Sequence, residues 1–217
     1  MKTKILSALA ILLIAATGTN AQITKGKYLL GGSVSYSNYQ DVQYNPTPAQ
    51  KYFSSNIQIG KVLKENKVAG LIVSYSFANN GLATYKLNQY SAGVFYRKYK
   101  PLTKGLYFFG EADVVYNYSR NKQGKFEIGS EGSRYTANGV KISLVPGLSY
   151  AVWKKLQMEL SMPNLLNLSY ARVKDEKNFT NSQQIVASKA NNFSANATLN
   201  ASLLNNFAIG FKFLLGK

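Results

Sequence analysis

The stretch FYRKYKPLTKGLYFFGEADVVY, residues 95–116, carries the pattern that decides the fold of this chain. Most of its side chains are aromatic or aliphatic, but Arg97, Glu111 and Asp113 stand among them. The segment Lys100–Lys104 has the composition of a tight turn, and the three charges fall at odd positions on either side of it. Because successive side chains of a strand point to opposite faces, the stretch predicts a β-hairpin with all three charges on one face.

Period-two alternation recurs along the rest of the chain. Between residues 193 and 215 almost every odd position is apolar, whereas the even positions are mostly polar; residues 138–152 show the same pattern with the parity reversed. Eight strands are predicted, at residues 27–37, 53–63, 68–78, 89–99, 105–119, 138–152, 156–172 and 193–215. Tight turns are expected at Leu63–Lys67, Lys100–Lys104 and Trp153–Lys155, and longer links at residues 38–52, 79–88, 120–137 and 173–192. Strands in such a meander pair antiparallel with their neighbours and need no crossover helix.

The polar faces of these strands are rich in Gly, Ser, Asn and Thr. A soluble barrel or sandwich turns its apolar face inward and commonly carries Lys and Glu outside, whereas a membrane barrel reverses this arrangement and keeps small polar side chains in its lumen. The sequence therefore predicts an all-β fold, an eight-stranded antiparallel up-and-down transmembrane β-barrel. Aromatic residues near the strand ends would form the girdles at the membrane interfaces: Tyr75, Phe77, Tyr116, Tyr118, Phe211 and Phe213.

The first 21 residues differ from the rest of the chain. Lys2 and Lys4 precede an apolar run from Ile5 to Ala16, and Thr19-Asn20-Ala21 follows it, which is the three-part pattern of a secretory signal peptide. A transmembrane anchor would need roughly 20 apolar residues, and this run has about 12. We expect residues 1–21 to be cleaved and residues 22–217 to form one barrel domain.

Two residue types are absent from the sequence. Without cysteine and histidine, the chain cannot contain a disulfide, a thiol nucleophile, a Ser-His-Asp or Cys-His relay, or an imidazole metal site. Only nine carboxylates accompany 26 basic residues, giving a net charge of +17. We therefore expect no enzymatic activity, cofactor or metal.

Three segments carry a resemblance to a known family: GVFYRKYKPL followed by GLYFFGEADVVY, VPGLSYAVWKKLQMELSM, and the terminal NNFAIGFKF. Over nearly all of residues 23–217 the chain resembles the small outer-membrane β-barrel proteins of the OmpA/OmpX type, found in the Gram-negative cell envelope. The resemblance implies eight strands, both termini in the periplasm and loops outside the cell. Outer-membrane lipids and the barrel insertion machinery would then be its partners, and we expect a monomer.

Basic side chains concentrate at the end with the short turns. The predicted periplasmic rim contains Lys25, Lys27, Lys61, Lys64, Lys67, Lys98, Lys100, Lys104, Lys154, Lys155, Lys212 and Lys217, opposed only by Glu65. Such a ring would seat the barrel against anionic head groups. Nucleic acid is not an expected partner, because these lysines are not interleaved with stacking aromatics along one strand face.

Five charged residues are predicted to meet inside the barrel: Arg97, Glu111, Asp113, Lys141 and Glu159. One interpretation makes Glu111 and Asp113 an acid–base pair or a cation site. The other, which we favour, is an ion-pair network that fills the lumen. Three function classes remain open: a structural or surface-interaction protein acting through its long loops, a small passive channel or ligand-binding barrel, and a barrel hydrolase acting on lipid or peptide.

Overall fold

The computed structural model describes residues 23–39, 50–79, 85–124, 131–163, 165–178, 185–197 and 208–216. The predicted signal peptide lies outside these residues. Among them, no helix is long and apolar enough to cross a bilayer, a finding that does not bear on strands. The described chain forms ten antiparallel strands: β1 Tyr28–Tyr39, β2 Gln50–Lys64, β3 Lys67–Asn79, β4 Tyr85–Thr103, β5 Leu106–Gly124, β6 Gly132–Trp153, β7 Leu156–Ser161, β8 Leu166–Asn178, β9 Val186–Ala197 and β10 Ala208–Leu215.

Eight of these strands close into a barrel, which confirms the predicted all-β fold and the eight-stranded antiparallel β-barrel. Consecutive strands from β1 to β7 pair with one another, β7 pairs with β10, and β10 pairs with β1. Within the described residues the closing seam is short, since Tyr28–Gly31 of β1 are the residues in register with β10. The two ends of the described chain therefore meet at this seam.

The strands β8 and β9 extend the sheet beyond this ring. One edge of β6 pairs with β7 through its last residues and with β8 through residues 132–144, and β9 pairs with β8. The prediction of a continuous strand at residues 156–172 was wrong, because the ladder breaks after Ser161. Pro163 lies in the break, and its missing N–H cannot contribute to the ladder. The predicted strand at 193–215 is likewise divided into β9 and β10, with residues 198–207 outside the described part.

Three tight turns connect strands at one end of the barrel. Two lie within the segments predicted for them, whereas the turn between β4 and β5 consists of Lys104 and Gly105, at the end of the predicted Lys100–Lys104 segment. Asn66 adopts a positive φ of 61° between β2 and β3, and Gly105 one of 81° between β4 and β5. Lys154 and Lys155 join β6 to β7. The N-terminal segment also lies at this end, where the Asn66 N–H donates to the Ile23 carbonyl.

The links at the opposite end are shorter than predicted. The strands β5 and β6 extend into the predicted link 120–137, ending at Gly124 and beginning at Gly132, and β8 and β9 take up most of 173–192. Alternation of apolar and polar residues detects a strand only where one face is apolar. Most side chains on both faces of these extensions are polar, so the alternation that marks a strand is weak there and predicts a loop instead.

The barrel is apolar outside and partly polar inside. Leu71 on the outer face is 62% exposed, whereas Gln58 on the inner face is 4% exposed. Exposed apolar side chains cover the outer faces of the strands, among them Ile57, Ile59, Leu71, Val73, Val94, Tyr96, Phe108, Val114, Tyr116, Val140, Ile142, Leu144, Leu148, Phe211 and Phe213. This is the reverse of the arrangement in a soluble barrel.

Candidate functional site: the charged lumen

An apolar plug closes the lumen at the end with the short turns. Its members are buried side chains from the N-terminal segment and from six strands: Ile23, Leu29, Val62, Val68, Ile72, Phe95, Tyr99, Tyr107, Phe109 and Leu214. Tyr99 lies at its centre, with its ring 6.1 Å from that of Tyr107 and 5.9 Å from that of Phe109. From the sequence we expected a charged network to fill the lumen and did not predict this plug. The plug could have been predicted from the inward positions near the short turns, which alternate with outward lysines.

Arg97 lies directly above the plug and joins two carboxylates. It is opposite Glu111 in the β4–β5 ladder, and its Nε donates to Glu111 Oε2 at 2.6 Å. Its Nη1 donates to Glu159 Oε1 at 2.5 Å and to the Tyr99 hydroxyl at 2.9 Å. The guanidinium also lies over the Phe109 ring, 4.3 Å from the ring centre. All these side chains are buried, so Arg97 is held both by charge and by an aromatic face.

Two lumen residues outside the predicted set complete this network. Gln58 donates to Glu111 Oε2 at 2.9 Å, and Lys212 donates to Gln58 Oε1. Lys212 was assigned to the periplasmic rim, which was wrong; it is an even position of the C-terminal stretch and therefore points inward with Gly210 and Leu214. Gly31 lies opposite Lys212 in the β1–β10 ladder, and a β-carbon there would overlap the lysine side chain. Parity alone identifies Lys212 as a lumen residue.

Asp113 and Lys141 lie above Arg97 and do not join its network. Both line a cavity of about 430 Å³ together with Glu111, Glu159 and Lys212. Lys141 is opposite Val115 in the β5–β6 ladder, and Asp113 is opposite Ser143. Among the described residues Lys141 forms no ion pair with a carboxylate, and the buried Asp113 Oδ1 has no hydrogen-bond partner.

The charges that line this cavity are balanced once Lys212 is included: three carboxylates, Glu111, Asp113 and Glu159, face three cations, Arg97, Lys141 and Lys212. Glu111 and Glu159 each accept hydrogen bonds from Arg97, so neither is available as a free base in this arrangement. In the described part of the chain, no group of three or more acidic residues is arranged to hold a metal ion. Removing one partner of such a buried pair destabilises the fold, because the remaining charge is left uncompensated.

No protein-family model matches this chain, and no curated protein is similar to it.

Proposed function

We propose that this chain is an integral outer-membrane β-barrel protein that serves a structural or surface-interaction role through its extracellular loops. The observation that carries the proposal is the continuous apolar outer face around a closed barrel. Water penalises an exposed apolar surface of this extent, whereas the hydrocarbon of a bilayer accommodates it.

The height of the apolar face fits a bilayer. Every outward position of β5 from Leu106 to Tyr118 is aromatic, aliphatic or glycine, and the next outward residue is Arg120. Twelve residues at about 3.3 Å each, tilted by roughly 40°, span about 30 Å along the barrel axis. The hydrocarbon core of a bilayer is about as thick.

A stripe of aromatic rings marks the upper limit of this face. It runs across β2 to β5 through Phe53, Tyr75, Tyr90 and Tyr118, whose successive ring centres are 6.2, 5.2 and 6.5 Å apart. Tyr combines an apolar ring with a polar hydroxyl, which suits it to the boundary between lipid and water. The stripe supports a membrane interface at this height.

The plug argues against conduction. Tyr99 and Phe109, 2% and 0% exposed, occupy the lumen beside Arg97, which itself is clamped between two carboxylates. We expect no single-channel current in planar bilayers, and a steady current would contradict this assignment. The cavity above Arg97 favours a second candidate, a barrel that binds a small polar ligand, since Asp113 faces it with an unpaired oxygen.

The arrangement gives no reason to propose catalysis. Glu111 is held by Arg97 and Gln58, and Glu159 by Arg97 and Tyr99. Glu111→Gln tests for a role of Glu111 as acid or base. Loss of a hydrolytic activity in this variant would support such a role, whereas lower stability alone would support the ion-pair network.

Membrane fractionation tests the proposal. The exported chain is expected in the outer-membrane fraction, and its unheated band is expected to migrate differently from its boiled band on a gel, because a closed barrel resists detergent. A soluble product would overturn the membrane assignment.

A further inference from the structure

A patch of cations lies on the outer face beyond the aromatic stripe. It consists of seven side chains from five adjacent strands, β4, β5, β6, β8 and β9: Lys86, Arg120, Lys122, Arg134, Arg172, Lys174 and Lys189. The ladders place Lys86 opposite Lys122 and Lys122 opposite Arg134, and Lys174 opposite Lys189. We call these seven residues the basic patch.

All members of the basic patch share a face with the apolar band. Arg120 and Lys122 continue the outward series of β5 after Tyr118, whose ring neighbours that of Tyr90 on the outer face. On β8, the exposed Arg172 follows the exposed Tyr170, and its Nε donates to the Tyr170 hydroxyl at 3.4 Å. The patch therefore belongs to the outer wall and not to the lumen.

The depth of the patch matches a head-group layer. Arg120 and Arg172 each follow the last outward aromatic residue of their strand by two positions, which corresponds to about 5 Å along the barrel axis for a tilted strand. Lys122 and Lys174 lie about 5 Å further out on the same estimate. The polar layer of each leaflet extends about 5–8 Å outside the hydrocarbon, so Arg120 and Arg172 lie within it and Lys122 and Lys174 at its outer edge.

Within the described residues, the patch has little matching negative charge. Among the described residues of this face, Glu176 is the carboxylate that opposes the seven cations; it lies 2.5 Å from Lys174 and 3.7 Å from Arg134. The ladders hold Lys122 between Lys86 of β4 and Arg134 of β6, and like charges placed directly opposite one another repel. A bound anion would relieve this repulsion.

We infer that the basic patch binds the phosphate groups of anionic lipids in the outer leaflet, above all a phosphorylated glycolipid whose acyl chains lie against the apolar band. This inference rests on the proposed membrane location. Arginine and lysine are the side chains that recognise phosphate, by bidentate hydrogen bonds and as point charges respectively. A lipid with acyl chains contacts both the apolar band and the basic patch, whereas a free anion contacts the basic patch alone.

The experiment measures binding of lipid A, a bis-phosphorylated acylated glucosamine disaccharide, to the refolded barrel in neutral-detergent micelles. The patch variant R120Q/K122Q/R172Q/K189Q leaves the contacts of Glu176 in place. The matched control, K61Q/K64Q/K67Q/K98Q, removes four charges at the other end of the barrel. We expect at least tenfold weaker binding for the patch variant and less than a twofold change for the control.

Two further probes identify the source of the phosphate. Dephosphorylated lipid A is expected to bind the native chain at least tenfold more weakly, and millimolar inorganic phosphate is expected to leave lipid A bound. Equal affinities of the two variants, no dependence on the lipid phosphates, or full displacement by inorganic phosphate would each overturn the inference. If the native chain inserts into bilayers and any of these results is found, the inference alone fails; a chain that does not insert refutes the proposed function.

Discussion

At the scale of single residues, Arg97 is the side chain whose removal we expect to lower the free energy of unfolding most. It is 2% exposed and lies between Glu111 and Glu159, with Phe109 against its guanidinium. The charge of Arg97 is paired with both carboxylates in the folded chain. The effect of removing Arg97 on stability therefore depends on the groups that lose their partner. Two buried carboxylates would then lack their main partner.

Replacing Arg97 with glutamine is expected to lower the free energy of unfolding by about 3–5 kcal/mol, the usual cost of leaving buried charges uncompensated. Urea titration of the refolded barrel in detergent measures this loss. The double change R97M/E159M keeps the lumen charges balanced, because Glu111 and Asp113 then face Lys141 and Lys212, and it should recover part of the stability. A loss below about 1 kcal/mol for the single variant would show that the network is not the buried pair described.

Glu176 supplies a second prediction, at the exposed end of β8. The hydrogen bond from Lys174 Nζ, with the nearby charges of Lys174 and Arg134, lowers the pKa of the Glu176 carboxyl. Because the folded-state pKa is depressed, the stabilisation is present above the ordinary glutamate value and is lost as the pH falls through the lowered one.

Carboxyl-carbon NMR titration measures that pKa directly. In Lys174→Gln it should rise towards the ordinary glutamate value, because the main hydrogen bond is lost. Lys189→Gln, opposite Lys174 on β9 but not a donor to Glu176, provides the control. An unchanged titration in Lys174→Gln would refute the assigned cause.

At the scale of elements, the strand β5 has one face in the lumen and one on the outside of the barrel. Its odd residues Glu111 and Asp113 face the lumen, while its even residues Phe108, Val114 and Tyr116 lie on the outer face, 43%, 44% and 52% exposed. Substitutions in this one strand therefore test both environments. The cost in folding free energy of a substitution on the outer face depends on whether that face contacts lipid or water.

Val114→Arg tests this difference. Near the middle of the apolar band, an arginine facing lipid is expected to cost about 2–4 kcal/mol of folding free energy in bilayers, falling to about 0–1 kcal/mol near the interface. Trp153→Arg, at the exposed end of β6, is the interfacial control. Folding titrations in lipid vesicles compare the two, and equal small costs would indicate that the face of β5 is not in lipid.

The alternation of side chains along the strands determines how much of the fold can be predicted from the sequence. Alternation in β4, β5 and β6 predicted both the hairpin and the faces of Arg97 and Glu111, because apolar outward and polar inward positions differ strongly there. It could not find the break after Ser161, which depends on how β7 and β8 register on β6. Pairing between distant strands has no local signal. Lys141 was placed near Asp113 and Glu111, but the β5–β6 register puts it opposite Val115, and alternation does not fix a register when the length of the connecting link is misjudged.

At the scale of the whole molecule, the barrel has two unlike ends. Short turns, the apolar plug and both ends of the described chain lie at one end. At the other, the strands β5, β6 and β8 extend beyond the aromatic stripe with polar side chains on both faces. If the barrel spans the outer membrane as proposed, the plugged end faces the periplasm.

The chain has no cysteine, which makes this orientation easy to test. Ala187→Cys, near the upper end of β9, is expected to react with a membrane-impermeant maleimide in intact cells. Lys154→Cys, in a short turn, should react only after the outer membrane has been permeabilised. The reverse labelling pattern would invert the proposed topology.

The seam between β1 and β10 has a consequence for the order of folding. Neighbouring hairpins bring together residues close in sequence, but Tyr28 meets Leu215 across almost the whole chain. Contacts of such separation form late, because the intervening chain must first be ordered. Closure therefore has to await delivery of the last strand. A nascent or truncated chain lacking β10 would expose unpaired edges at both β1 and β7, and such edges recruit other chains into aggregates.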